Sequence, residues 1–284
     1  MTGGFLKTAV AVAGLLLAGV PAAAEPVQLK SGQIRLNGNM EMAAGKKVAD
    51  GVALILHGTQ SHHKQETIAA LQENLKKRGI STLAITLSLG VDNREGPRAC
   101  DVLHDYALAG ARRELAVWMA WLRADNARAV DLIGFSRGGA QIAALAPNLS
   151  PVGRVVLMAP AFATADEQAA AYQRAFGHSL AEPLAEARKS PLQKFTVDFL
   201  QCKAAPVLGA TFLDGYQELL PQLAAETQHS TLVIVAGKDE IVPDLAGKLP
   251  SQVRKAVIEG SGHFFPDLYG EDAADAIAQF LKKE

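Results

Sequence analysis

The sequence predicts a single α/β domain built on a doubly wound, mostly parallel β-sheet with a helical cap insertion. Short, largely apolar runs, such as residues 52–56 and 129–134, are typical of strands buried on both faces of a parallel sheet. Stretches with helical spacing, such as residues 64–78 and 106–123, separate these runs. The connections are long enough for the right-handed crossovers that join parallel strands.

The remaining elements are assigned in chain order from the same patterns. Residues 27–42 alternate loosely between apolar and polar side chains, which predicts an exposed antiparallel hairpin at the edge of the sheet. Further strands are predicted at residues 80–87, 154–158, 231–236 and 253–258, and further helices at 138–146, 244–249 and 272–282. Trp118 and Trp121 lie among apolar neighbours of one helix, which favours a place in the core.

Residues 161–230 interrupt this alternation. They are rich in Ala, Gln and Glu and have helical spacing but no clear strand. Because the segment is too long for an ordinary loop, we expect a helical cap and not a linker. A flank packed on the core is the alternative.

Composition restricts the partners that this chain can have. Of its 284 residues, 49% are hydrophobic, which is enough for a sizeable core, and the formal net charge is only −1. A nucleic-acid binder needs clustered Lys and Arg to neutralise phosphates, so the charge indicates no nucleic-acid partner. We expect a small or neutral substrate; the oligomeric state is not predicted.

Residues 1–24 have the pattern of a signal peptide. Lys7 precedes an apolar run at residues 8–20, and Ala22 and Ala24 match the small-residue cleavage rule. The run is shorter than the roughly 20 residues of a membrane span, so we expect no stable membrane insertion. Cleavage near Ala24 would leave residues 25–284 as a periplasmic or secreted protein. An uncleaved anchor or a buried helix is the alternative.

The motif Gly134-Phe135-Ser136-Arg137-Gly138 lies where a predicted buried strand ends and a helix begins. This G-x-S-x-G pattern is typical of a nucleophile elbow, in which small residues allow a strained turn that exposes the serine hydroxyl. A tight turn with Ser136 as helix N-cap is the alternative.

Two later loops complete a resemblance to the α/β-hydrolase superfamily over nearly the whole mature chain. Residues 237–243 resemble the acid loop of the superfamily, and residues 260–265 resemble its histidine loop, in the order serine, acid, histidine. The resemblance implies Ser136 as nucleophile, His263 as general base and Asp239 as the acid that orients the base. Glu240 is a rival for the acid.

The oxyanion hole is expected to use two backbone N–H groups. One comes from Arg137, the residue after the nucleophile. The other comes from the loop His57-Gly58-Thr59-Gln60, in which we assign Thr59, with Gln60 as the alternative.

Cys100 and Cys202 belong to the part of the chain expected in an oxidising compartment, which favours a disulfide. Cys202 falls in the insertion, so the bond would tether the cap to the core. Two separate buried thiols are the alternative, because the sequence does not show that the Cα atoms approach.

Histidines 57, 62 and 63 share one loop, but no carboxylate–histidine or Cys-x-x-Cys spacing accompanies them, so we expect neither a metal nor a cofactor. We expect His57 to pack beneath the oxyanion loop, and His62 and His63 to be exposed. A polar cluster follows the strand at residues 80–87: Arg94, Arg98, Asp101, His104 and Asp105. It either binds a polar group of the substrate or forms a solvated surface.

Together these observations predict a serine hydrolase, carboxylesterase-like, that cleaves small or neutral esters. An exported peptidase or thioesterase could use the same residues, and so could a lyase. A non-catalytic binding module on this fold is the alternative from another class.

Overall fold

The computed structural model describes residues 24–125, 127, 130–220 and 230–282. Its strands are β1 (Glu25–Ser31), β2 (Ile34–Glu41), β3 (Val52–Leu56), β4 (Thr82–Thr86), β5 (Val130–Phe135), β6 (Val152–Met158), β7 (Lys194–Phe199), β8 (Cys202–Leu208), β9 (Thr231–Ala236) and β10 (Arg254–Ile258). Its α-helices are α1 (Glu66–Lys77), α2 (Leu108–Ala124), α3 (Arg137–Leu145), α4 (Ala165–Phe176), α5 (Ala181–Lys189), α6 (Gly209–Gly215), α7 (Leu245–Lys248) and α8 (Leu268–Lys282).

The main sheet has eight strands in the order β1-β2-β4-β3-β5-β6-β9-β10. From β4 to β10 the neighbours are parallel, whereas β2 pairs antiparallel with both β1 and β4. The predicted mostly parallel sheet and the hairpin at its edge are confirmed. The carboxyl ends of the parallel strands therefore meet at one edge, where open α/β sheets bind ligands.

Alternate residues of the parallel strands bury the two faces of the sheet. Leu54 and Leu56 of β3 join one core cluster together with Trp118 of α2, and Ile55 joins a second cluster with Ile277 of α8. Both faces are apolar because helices cover both sides, which explains the largely apolar runs of the sequence. Trp118 is fully buried, as its helix pattern predicts.

Between β6 and β9 the structure has the predicted helices and also a hairpin that the sequence analysis missed. Helices α4, α5 and α6 surround the antiparallel pair β7–β8, whose register joins Phe195 to Val207. Leu200 and Gln201 connect the two strands, and Leu200 has φ 59°. Two-residue hairpin turns usually carry Gly, Asn or Asp, so this turn has no sequence signal.

A disulfide between Cys100 and Cys202 joins β8 to the loop that follows β4, with 5.3 Å between the Cα atoms. Backbone hydrogen bonds reinforce the junction: His104 N–H donates to the Pro206 carbonyl at 2.8 Å, and Leu208 N–H donates to the His104 carbonyl at 3.0 Å. The hairpin is therefore fixed to the loop between β4 and α2.

The predicted signal peptide, residues 1–24, lies outside the described residues except for Ala24. In the described ranges, no helix combines the length and hydrophobicity needed to span a bilayer. The last helix begins at Leu268, four residues before its predicted start at residue 272.

Candidate active site

Ser136 lies in the sharp turn between β5 and α3, with φ 52° and ψ −121°. A positive φ is unfavourable for a residue with a Cβ and persists only where the surroundings impose it. Here Ser136 N–H donates to the Met158 carbonyl at 2.9 Å, and the Ser136 carbonyl accepts from Ala161 N–H at 3.0 Å. These bonds to the chain around the end of β6 hold the strained turn.

The glycines of the motif permit the close packing that this turn requires. A Cβ on Gly134 would lie 2.5 Å from the Gly138 carbonyl oxygen and 2.6 Å from Cα of Gly139. A Cβ on Gly138 would overlap the carbonyl oxygen of His57. Strand β5, helix α3 and the loop after β3 therefore approach one another only because these positions lack side chains.

Three loops at the carboxyl edge of the sheet bring Ser136, His263 and Asp239 into one hydrogen-bonded chain. His263 Nε2 lies 2.9 Å from Ser136 Oγ, and His263 Nδ1 lies 2.9 Å from Asp239 Oδ2. Ser136 and His263 are both buried. With Nδ1 donating to the carboxylate, Nε2 is free to accept the serine proton, which is the arrangement a general base needs.

Asp239 forms a hydrogen bond with the imidazole ring of His263, whereas Glu240 forms one with its backbone. The Asp239 carboxylate also accepts the backbone N–H groups of Ile241 at 2.9 Å and Val242 at 2.7 Å. Burial alone would raise the pKa of Asp239, but the His263 hydrogen bond and these two N–H groups outweigh it and hold the pKa below its usual value. Within the described part of the chain, Glu240 accepts one hydrogen bond, from the backbone N–H of His263 at 3.2 Å.

The predicted oxyanion donors lie beside the serine. Arg137 is the first residue of α3, so its N–H has no acceptor within the helix. Thr59 and Gln60 line the cavity at Ser136, and no acceptor for either N–H is present within the described part of the chain. Both candidates for the second donor therefore keep an available N–H group.

Arg94, Arg98 and His104 are buried, contrary to the expectation of a solvated surface, and none lines the cavity at Ser136. Arg98 N–H donates to the Gln60 carbonyl at 2.8 Å, and Arg98 Nη2 donates to the Leu103 carbonyl at 2.6 Å. The Arg98 N–H therefore holds Gln60 in the loop predicted to supply the second oxyanion donor. Asp101 and Asp105 are exposed, as a surface loop predicts.

The expectation that His62 and His63 are both exposed is wrong. His63 is buried, and its Nδ1 lies 2.6 Å from Thr86 Oγ1, while His62 is half-buried. His57 is buried beneath the oxyanion loop as expected. In the described ranges, no three His, Cys, Asp or Glu residues are grouped so that they could hold a metal ion.

Two cavities adjoin the elbow. The first, here called the catalytic cleft, has a volume of about 490 Å³ and is lined by Ser136 and His263. The second, here called the apolar pocket, has a volume of about 430 Å³ and lies between α4 and the core. Leu200 and Ile241 line both cavities, and neither residue is among the predicted site residues.

The sequence matches the Alpha/beta hydrolase family over residues 53–280, so the chain belongs to that family. Its structure is similar to Est1E from Butyrivibrio proteoclasticus, with a TM-score of 0.62 and 18% identity, covering 90% of this chain and 97% of Est1E. The Pyrococcus furiosus esterase Pf2001 has a TM-score of 0.60 and 15% identity, covering 92% of this chain and 90% of the esterase.

The esterase domain of a Rhodothermus marinus protein aligns with a TM-score of 0.57 and 16% identity, covering 91% of this chain and 99% of that domain. These similarities establish a shared fold. Sequence comparison with curated proteins finds no match.

Proposed function

We propose that this chain is a serine hydrolase that cleaves carboxylic esters through an acyl-enzyme, with Ser136 as nucleophile. The observation that carries the proposal is the hydrogen-bonded chain from Ser136 through His263 to Asp239. The distance is 2.9 Å from His263 Nε2 to Ser136 Oγ and 2.9 Å from His263 Nδ1 to Asp239 Oδ2. A serine hydroxyl is a poor nucleophile until a base within hydrogen-bond reach removes its proton.

In the proposed reaction, Ser136 Oγ attacks the ester carbonyl while its proton passes to His263 Nε2. The N–H groups of Arg137 and Thr59 hold the oxyanion of the tetrahedral intermediate. His263 then protonates the leaving alcohol as the carbon–oxygen bond breaks. Water then attacks the acyl carbon, and its proton passes to His263. The bond between the acyl carbon and Ser136 Oγ breaks, His263 returns the proton to Oγ, and the acid is released. Asp239 stays ionised throughout and stabilises the imidazolium.

Ester and amide substrates distinguish this proposal from its closest rival. The purified protein should hydrolyse p-nitrophenyl acetate, and Ser136→Ala should reduce kcat/KM by about 10⁴-fold or more. Because one solved structure of Est1E contains ferulic acid, the panel should include a hydroxycinnamate ester. Turnover of aminoacyl amides or thioesters without ester turnover would assign a peptidase or thioesterase instead.

The second candidate is a binding module that does not catalyse. The buried, hydrogen-bonded Ser136 and His263 argue against it, because a purely structural site has no need of a strained serine beside a base. A folded protein without turnover of any ester, thioester or amide would favour the binding module.

We further propose that residues 1–24 are a signal peptide and that the protein acts outside the cytoplasm. The Cys100–Cys202 disulfide supports this location, because disulfides persist mainly in oxidising compartments. N-terminal sequencing of the protein from a secreting bacterial host should begin near Glu25. Recovery from the cytoplasm with the first 24 residues intact would contradict export.

A further inference from the structure

The apolar pocket lies next to the proposed catalytic site but does not contain its reacting groups. It is walled by α4, by the chain after β6 and by the loop after Asp239, with Phe162, Tyr172 and Val242 among its lining residues. Ser136 and His263 line only the catalytic cleft. A function for the pocket must therefore come from its connection with that cleft.

The lining of the pocket suits an uncharged group. Tyr172 and Phe162 are buried, and Ala140 closes the wall on the side of α3. Three of the four charged residues that line the pocket have partners, and the fourth, Arg174, is exposed. Lys248 pairs with Glu167 at 2.6 Å, and the Arg137 guanidinium donates to the Gly215 carbonyl at 2.9 Å.

The catalytic cleft is more polar and surrounds the group that must protonate the alcohol. Ser61, His62, Gln65 and Gln201 contribute to its lining. In the proposed mechanism His263 returns its proton to the leaving oxygen, so the alcohol has to lie on the His263 side. The acyl group extends from the carbonyl carbon in another direction, and the apolar pocket is the second cavity that adjoins the elbow, with Arg137 in its lining.

Leu200 and Ile241 lie at the junction of the two cavities, because both residues line each cavity. Leu200 is held in the left-handed region, with φ 59°, and its N–H donates to the Tyr216 hydroxyl at 2.9 Å. The disulfide at Cys202 fixes the hairpin just beyond this turn. A bulky side chain in such a conformation persists only where the structure imposes it, and such positions cluster at ligand sites.

We propose that the apolar pocket binds the acyl group of the ester, that the catalytic cleft binds a polar alcohol, and that Leu200 and Ile241 form the passage between them. The substrates are then esters of an apolar acid longer than acetate. This inference rests on the proposed serine hydrolase function and specifies its substrate class.

The test compares p-nitrophenyl acetate and p-nitrophenyl octanoate. The wild-type protein should favour octanoate, with about a fourfold gain in kcat/KM for each methylene that enters the pocket. Ala171 lies in the exposed part of the pocket wall on α4, so Ala171→Trp fills the pocket without disturbing the core. It should lower the ratio of kcat/KM for the octanoate ester to kcat/KM for the acetate ester at least tenfold. Ala175→Trp, which changes another exposed wall residue of α4, should do the same.

Two further variants complete the series. Ala169 is exposed on the same helix and does not line the pocket, so Ala169→Trp should retain wild-type activity on both esters. Leu200→Gly widens the passage, and glycine tolerates the positive φ, so this variant should raise the octanoate-to-acetate ratio of kcat/KM. An unchanged ratio in Ala171→Trp and Ala175→Trp, or equal losses on both esters, would overturn the proposal.

Binding measured without turnover separates this inference from the proposed function. In the Ser136→Ala variant, calorimetry should detect binding of octanoate. Adding Ala171→Trp to this variant should weaken the octanoate affinity at least tenfold. If the wild-type protein does not hydrolyse p-nitrophenyl acetate but this binding pattern holds, the hydrolase proposal fails and the apolar pocket remains a binding site. Equal octanoate affinity with and without Ala171→Trp would exclude the pocket as the binding site.

Discussion

The guanidinium of Arg94 lies 3.2 Å from Nε2 of His57, beneath the loop that we propose for the oxyanion hole. Nε2 also accepts the Leu87 N–H at 3.1 Å, and Nδ1 donates to the Gly58 carbonyl at 2.8 Å. Burial, and secondarily the charge of Arg94, lowers the pKa of His57 to about 3, so the ring stays neutral. The pair joins the ends of β3 and β4 behind the candidate active site.

Replacing Arg94 should destabilise the protein and disturb the oxyanion loop. Arg94 is buried and donates to the carbonyl groups of Leu87 at 2.8 Å and Gly96 at 2.6 Å. Arg94→Met leaves these acceptors without donors, so we expect a loss of about 2 to 3 kcal/mol in the free energy of unfolding, measured in urea. Labelling of Ser136 by a fluorophosphonate should also slow.

Arg35→Met is the matched control. Arg35 pairs with Asp92 at 2.7 Å on the surface, with about half of each side chain exposed, so little stability should be lost. Equal losses in the two variants would contradict the supporting role of Arg94.

Buried histidines should make the protein less stable in mild acid. Burial lowers the pKa of His57 to about 3 and those of His63 and His104 to about 4. Below an unfolded pKa near 6.5, the unfolded chain binds protons that the folded chain does not. The free energy of unfolding should therefore fall from pH 6.5 towards pH 4, by up to about 1.4 kcal/mol per pH unit for each histidine.

His63→Gln should flatten this dependence in urea titrations between pH 6 and pH 4.5. His178→Gln is the control. The hydrogen bond with Asp198 raises the pKa of His178, so its contribution is fully present below the unfolded pKa and stays constant through this window. If the free energy of unfolding had the same slope against pH in His63→Gln and in the wild type, His63 would not contribute to the pH dependence.

The disulfide should contribute strongly to stability because it closes a long loop. Cys100 and Cys202 are 102 residues apart, which corresponds to about 4 to 5 kcal/mol in the chain-entropy account. The double variant Cys100→Ala/Cys202→Ala should lose most of this free energy in urea unfolding. Alkylation of both cysteines in the denatured protein without reductant, detected by intact mass, would show that the bond is absent.

Asp239 and Glu240 are neighbouring acids with different expected roles. Asp239→Asn removes the acceptor that orients the His263 ring, so kcat for an ester should fall by about 10³ to 10⁴-fold. Glu240→Gln keeps an oxygen for the His263 backbone N–H and should retain most activity. A larger loss of kcat in Glu240→Gln than in Asp239→Asn would show that Glu240, and not Asp239, orients His263.

The sequence predicts the parallel strands well because burial on both faces leaves a continuous apolar run. Residues 52–56 and 231–236 are predicted at the bounds that β3 and β9 have in the structure. The elbow is equally readable, since the contacts at Gly134 and Gly138 leave no space for side chains.

The sequence pattern does not predict hairpin β7–β8 or the burial of the polar loop residues. The turn at Leu200 lacks the residues that usually mark a hairpin and depends on tertiary contacts, including the Tyr216 hydroxyl. In the sequence, Arg94 and His63 have the polar character of surface residues. Their partners, a loop carbonyl for Arg94 and Thr86 Oγ1 for His63, come close only when the chain folds.

Covalent labelling tests the central claim most directly. A fluorophosphonate probe reacts with a serine only where a base activates it and an oxyanion site receives the phosphoryl oxygen. Mass spectrometry should find one probe on the purified wild-type protein, on the peptide that contains Ser136, and none on Ser136→Ala. A folded wild-type protein that takes no probe, or takes it on another residue, would contradict the assignment of Ser136 as nucleophile.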